Sequence, residues 1–163
     1  MKLASVRVGG RDTVAAQVDG ERVIALDALL ALQGSKVTPP RSMRQLIEDT
    51  SLAAAVTEAL KSADAAALES AASEPDAWYP PVRRPGKVLA VAMNNSASNA
   101  RKISAPDHPA FFLKPPSCLI GHGAEIRIRP YYGSVHPEPE LALVIGRDSR
   151  DLDPETALDA VFG

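Results

Sequence analysis

The sequence is short of the features that several kinds of protein depend on. It has one cysteine, Cys118, in 163 residues, so neither an internal disulfide framework nor a multi-cysteine zinc site can form. A cytoplasmic setting fits that count. Long apolar runs are missing: the longest, Val88 to Met93, falls far short of the ~20 residues that a membrane-spanning helix needs. Lys2 and Arg7 break up the first residues before the apolar core of a secretory leader could form. Neither sign of charge dominates. Lys plus Arg number 18 and Asp plus Glu 20, a formal net charge of −2, so no global basic field is there to hold nucleic acid or an anionic membrane. The expectation is a soluble, cytoplasmic protein that binds neither.

What is present suits a globular chain. The apolar fraction is 45% and the charged fraction 23%, ordinary values for one domain or one domain with an appendage. Proline divides the chain unevenly, with twelve of its 14 residues at Pro75 or later. Residues 1–73 therefore read as a small N-terminal α/β lobe. Residues 74–86, with four prolines, read as an extended connector. Residues 87–163 form a second unit.

In the first unit, Leu3–Val8, Thr13–Val18 and Arg22–Leu26 have strand patterns. Gly9-Gly10 turns the first pair, and Asp19-Gly20 is a strong hairpin signal for the second. Asp27 is placed to cap a helix over Ala28–Leu32. Ten of the 23 residues from Ser51 to Ser73 are alanine, with Leu52, Val56 and Leu60 at four-residue spacing. That predicts a long amphipathic helix with a thin apolar face, packed as an accessory layer. In the second unit, strands are predicted over Lys87–Ala92, Ala110–Lys114, Glu125–Arg129 and Glu140–Ile145, and a final helix from Asp153 to Val161. The β-rich core is expected here.

Three stretches of the second unit carry possible chemistry. In Glu138-Pro139-Glu140, residues i and i+2 of an extended segment face the same way. Two carboxylates so placed repel unless a cation lies between them, and a hard divalent ion such as Mg²⁺, Mn²⁺ or Ca²⁺ prefers such oxygens. His136 falls on the same face. The competing reading is a solvated strand edge marked by Pro139. Lys114, at the end of a buried strand, can stabilise an anion or enolate, or simply reach solvent along its aliphatic stem. Asn94 to Arg101 is a run of small polar residues after a strand, where ligand sites are often built. It equally suits a polar loop leading into a capped helix.

The order of three segments resembles the fumarylacetoacetate hydrolase family: Lys87–Asn94, then Phe112–Gly121, then Pro137–Arg147. The resemblance covers about residues 87–163, and the first unit is similar to the variable leading domain of such proteins. It implies a mixed β-sandwich roll, α+β overall and incomplete in this chain. It also implies a divalent metal, Mg²⁺ foremost, held by the two Glu of a Glu-x-Glu motif and by an Asp further along. Glu138 and Glu140 match the first two ligands, and the third is expected beyond Gly163. Activities in the family include C–C bond hydrolysis, decarboxylation of oxo acids and isomerisation of dienoic acids, chemistry met in the catabolism of aromatic compounds. All pass through charge that the metal takes up as an enolate forms.

The resemblance assigns Lys114 to the substrate anion, and Asn94, Ser98, Arg101 and Ser117 to the pocket. Many members carry, after the first strand, Asn-Tyr, then a His, then a Glu three residues on. Here Ser98 and Arg101 hold the His and Glu positions. Serine unaided is no base near neutral pH, and arginine stays protonated, which moves the expected chemistry from hydrolysis towards decarboxylation or isomerisation. The other reading is a non-catalytic homologue kept as a binding or assembly partner. The chain on its own is expected to bind metal weakly, until a C-terminal portion, a second polypeptide or a homodimer completes the site.

Overall fold

The structure is a computed structural model, and it describes residues 1–94 and 108–163. It is mixed α and β, with two small sheets and four α-helices among the described residues. The N-terminal hairpins form as their turns dictate. Strand β1 (Leu3–Val8) pairs antiparallel with β2 (Arg11–Asp19), and Val8 lies opposite Arg11. The two-residue loop between them is Gly9-Gly10, with φ of 55° and 75°. Both residues need left-handed backbone there, which glycine adopts without a Cβ penalty. Strand β3 (Arg22–Ala25) then folds back on β2 with Asp19 opposite Arg22.

The helices lie against this sheet. Helix α1 (Leu26–Leu32) begins two residues earlier than predicted, with Ala25 at its N-cap and no side-chain cap. Asp27 sits inside its first turn and takes Arg11 at 2.6 Å instead. Helix α2 (Met43–Glu48) has no counterpart in the sequence reading. Its signal is reciprocal: Ser42 Oγ accepts from the Gln45 amide at 3.2 Å, and Gln45 Oε1 accepts from the Arg41 amide at 2.9 Å. This is close to a capping box, and it precedes an apolar i, i+3, i+4 set, Met43, Leu46 and Ile47, all buried.

The alanine-rich stretch is two helices, α3 (Thr50–Ser62) and α4 (Ala65–Ala71). Asp64 breaks it by accepting from the Ala67 amide at 2.9 Å, which starts a new helix. Leu52, Val56 and Ala59 of α3 are buried. They join Val14, Ile24, Leu26, Leu29, Leu30 and Leu46 in one cluster. The first unit is therefore a packed core in its own right, and its helices are more than the shallow layer expected.

The connector also departs from expectation. Ala77–Trp78 forms strand β4 on the free edge of β1, giving the sheet order β3-β2-β1-β4. Pro75, Pro80 and Pro81 flank this short strand without interrupting it, so no ladder bond is lost. Ser5 Oγ donates to the Pro81 carbonyl at 2.7 Å and extends the attachment.

In the second unit, β5 (Val88–Ala92) and β6 (Ala110–Lys114) pair antiparallel over five residues each. They make a two-stranded sheet that buries little: Ala90 is buried, whereas Leu89 and Leu113 are 55% and 70% exposed. The buried strand expected at 87–92 is thus only partly covered, with Ala90 buried, Leu89 exposed and the other residues of β5 half-buried, and the β-rich core expected in this unit is not assembled among the described residues. The segment 125–129 forms no strand, and 140–145 contributes only a bridge from Ile145 to Val161. Alternating residues make a strand only when another strand pairs with them; among the described residues no strand pairs with 125–129, and 140–145 meets only the short segment 160–163 at its end. The final helix is reduced to a 3₁₀ turn at Ala157–Ala160. Its neighbour Phe162 bonds back to the Val144 carbonyl at 2.8 Å. Val144 and Phe162 rest on the core of the first unit.

Candidate functional site

The residues singled out by sequence are spread along the second unit. Lys114 closes β6 and is exposed, its Nζ 5.6 Å from the centre of the Phe112 ring. That is a cation–π approach, which holds the ammonium beside the strand. Ser117 follows in a 3₁₀ turn, Pro116–Cys118, set by two consecutive prolines. Asn94 comes just after β5 and is exposed. Ser98 and Arg101 lie outside the described residues.

Glu138 and Glu140 occupy a stretch with neither helix nor ladder, and both are exposed, as is His136. Lys114, like the two glutamates, is exposed. The donor chemistry still suits a hard cation, since two carboxylates two residues apart offer oxygens only. Among the described residues no group of three His, Cys, Asp or Glu side chains comes together, so these two carboxylates fit part of a coordination sphere.

The best-organised polar cluster joins the first unit to the connector, and sequence reasoning missed it. Asp12 on β2 receives three donors. Arg83 Nη1 stands 2.7 Å from one carboxylate oxygen, and Arg7 Nε and the Tyr79 hydroxyl donate to the other at 2.8 and 2.9 Å. The Arg83 guanidinium also stacks 4.0 Å from the centre of the Tyr79 ring. These donors, Arg83 foremost, stabilise the ionised carboxylate and lower its pKa from 3.8 to about 2. The hydrogen bond that Tyr79 donates to Asp12 in turn pushes its hydroxyl pKa up, because ionisation would give up the donated proton. Residues 67 and 71 positions apart meet here, a distance at which the sequence gives no periodic signal.

The segment after β6 meets β4 at Gly121 and His122. Gly121 lies so near β4 that a Cβ there would fall 1.8 Å from the Trp78 carbonyl oxygen. The His122 ring meets Trp78 edge-on at 6.0 Å.

Comparison with known proteins bears on the second unit. Residues 87–163 match the family model described as fumarylacetoacetate (FAA) hydrolase, C-terminal. An oxaloacetate tautomerase, mitochondrial, from Arabidopsis thaliana is 38% identical over 79 residues, 47% of this chain and 35% of that protein. An oxaloacetate decarboxylase, mitochondrial, from Dictyostelium discoideum is 39% identical over 80 residues, 47% of this chain and 36% of that protein. An uncharacterized protein of Pyrococcus abyssi is 39% identical over 82 residues, 49% of this chain and 36% of that protein. The chain spans about a third of the length of the curated relatives it matches. No helix among the described residues is long and apolar enough to cross a membrane.

Proposed function

Because the chain, through residues 87–163, belongs to the fumarylacetoacetate hydrolase family, we propose that it carries part of an enzyme acting on small oxo or dienoic carboxylic acids. Oxaloacetate, the acid named in two relatives, is the first substrate to try. The observation that carries this reading is the ordered match across 87–163, which includes Glu138-Pro139-Glu140. Tautomerisation or decarboxylation is favoured over hydrolysis, since Ser98 and Arg101 stand where a water-activating His and Glu are expected.

In this proposal Glu138 and Glu140 hold a divalent metal, Mg²⁺ or Mn²⁺. When bound, the metal supplies Lewis acidity to the oxo-acid oxygens. Lys114 binds the substrate carboxylate and offers its charge to oxygen as negative charge grows there. Asn94 and Ser117 provide neutral hydrogen bonds that orient the acid, and Arg101 pairs with a carboxylate in a two-point fork. The roll fold of the family, a cytoplasmic setting and the separate status of the first unit are proposed with it.

The test is Mn²⁺ titration of the 163-residue chain, followed by water-proton relaxation, with and without oxaloacetate. Binding that is weak alone, strengthened by oxaloacetate and lost in Glu138→Gln/Glu140→Gln supports the reading. Binding indifferent to both glutamates overturns their assignment as ligands.

A further inference from the structure

A groove of about 510 Å³ runs between β1–β2, the start of α2 and the segment after β4. Four arginines, Arg41, Arg44, Arg83 and Arg84, are among its lining residues, with Asp12 the one acidic residue beside them. The whole chain has a formal net charge of −2, so this concentration of positive charge is local and has no origin in overall composition.

The existing counter-ions do not use it up. Both oxygens of Asp12 are engaged by Arg83, Arg7 and Tyr79. Arg44 pairs with Glu48 one turn along α2 at 2.7 Å, in the open, where such a pair is weak. Among the described residues no carboxylate lies within ion-pair distance of Arg41 or Arg84. Arg83 is held in place twice, by Asp12 and by its stack on Tyr79, so its remaining N–H groups are pre-organised and lose little freedom on meeting a ligand. Ser42 adds a hydroxyl whose oxygen caps α2 while its proton is free to donate.

We propose that this groove binds a small organic polyanion through its carboxylate or phosphate oxygens. Arg41 and Arg84 supply the unpaired charge, and Arg83 supplies the fixed edge. Guanidinium forks match both oxyanions in two-point geometry. A volume of a few hundred Å³ suits a small molecule, whereas a nucleic-acid duplex or a membrane surface needs a broad basic face. Lys114, Glu138 and Glu140 do not line the groove, so the proposal stands apart from the oxo-acid reading.

Calorimetric titration with pyrophosphate and with citrate, at ionic strength held constant with sodium chloride, is the test. Saturable one-to-one binding by the wild-type chain is expected. Arg41→Gln/Arg84→Gln should weaken it by about tenfold or more, while Arg127→Gln, at a side chain 89% exposed and elsewhere in the chain, leaves it unchanged. Tighter pyrophosphate binding assigns a phosphate-bearing ligand, and tighter citrate binding a carboxylate one. Absence of saturable binding by either anion, or equal binding by the double variant, overturns the proposal.

Discussion

Replacing Leu46 by alanine tests where the core lies. Leu46 is fully buried on α2 and packs within the cluster that joins the sheet to α1 and α3. The substitution removes three carbons, worth about 2.4 kcal/mol at roughly 0.8 kcal/mol each. The hole left among rigid neighbours raises the cost to about 3–4 kcal/mol. For a chain of this size that lowers the melting temperature by about 6–16 °C. Leu113→Ala is the contrast: its side chain is 70% exposed on β6, so its cost should stay within about 0.5 kcal/mol. Urea unfolding followed by the fluorescence of Trp78, the sole tryptophan, measures both. A cost below about 1 kcal/mol for Leu46→Ala, or an equal or larger cost for Leu113→Ala, would refute the assignment of the core to the first unit.

Three further outcomes follow from the same structure. The Asp12 carboxyl has a folded-state pKa lowered from 3.8 to about 2, so its stabilisation is complete above the unfolded value and fades as pH falls towards 2. Melting temperatures of wild type and Asp12→Asn should differ near neutral pH and converge in acid; a pH-independent gap would contradict this. Gly121→Ala puts a Cβ 1.8 Å from the Trp78 carbonyl oxygen, so the segment after β6 must lift from β4 and red-shift Trp78 emission, and an unchanged spectrum would count against that contact. Amide exchange should be slower by about tenfold or more in β1–β3 than in β5–β6, with equal rates as the adverse result.

The hairpins of the first unit were legible because their causes are local. Gly9-Gly10 and Asp19-Gly20 specify turns whatever surrounds them, and the strands follow. Helix α2 was legible in principle, since Ser42 and Gln45 hold the capping spacing, but its six residues are too few to show a period. The split of the alanine-rich stretch turned on Asp64, a residue as able to start a helix as to decorate one. Strand β4 was hidden by its flanking prolines. The predicted strands at 125–129 and 140–145 failed for another reason. Alternation reports that a segment suits a sheet, and only a neighbour makes it one. The family of the second unit could be read from three ordered segments, whereas the Asp12–Tyr79–Arg83 cluster joins residues that no spacing rule connects.

The two units therefore differ in what they can do alone, and this bears on the glutamate pair. Two carboxylates about 4 Å apart in water repel by only about 1 kcal/mol, because solvent screens them. Exposed as Glu138 and Glu140 are, they have little need of a cation. Enclosing them would remove that screening and multiply the repulsion several-fold, and a divalent ion would then be the cheapest relief. Metal affinity at this position should thus rise with the walls built around it, and not with the number of carboxylates alone. Lys114 obeys the same logic with the opposite sign: on an open strand its ammonium is hydrated, and once enclosed it seeks an anion. The ligand demand of both groups is latent in their chemistry and is set by burial.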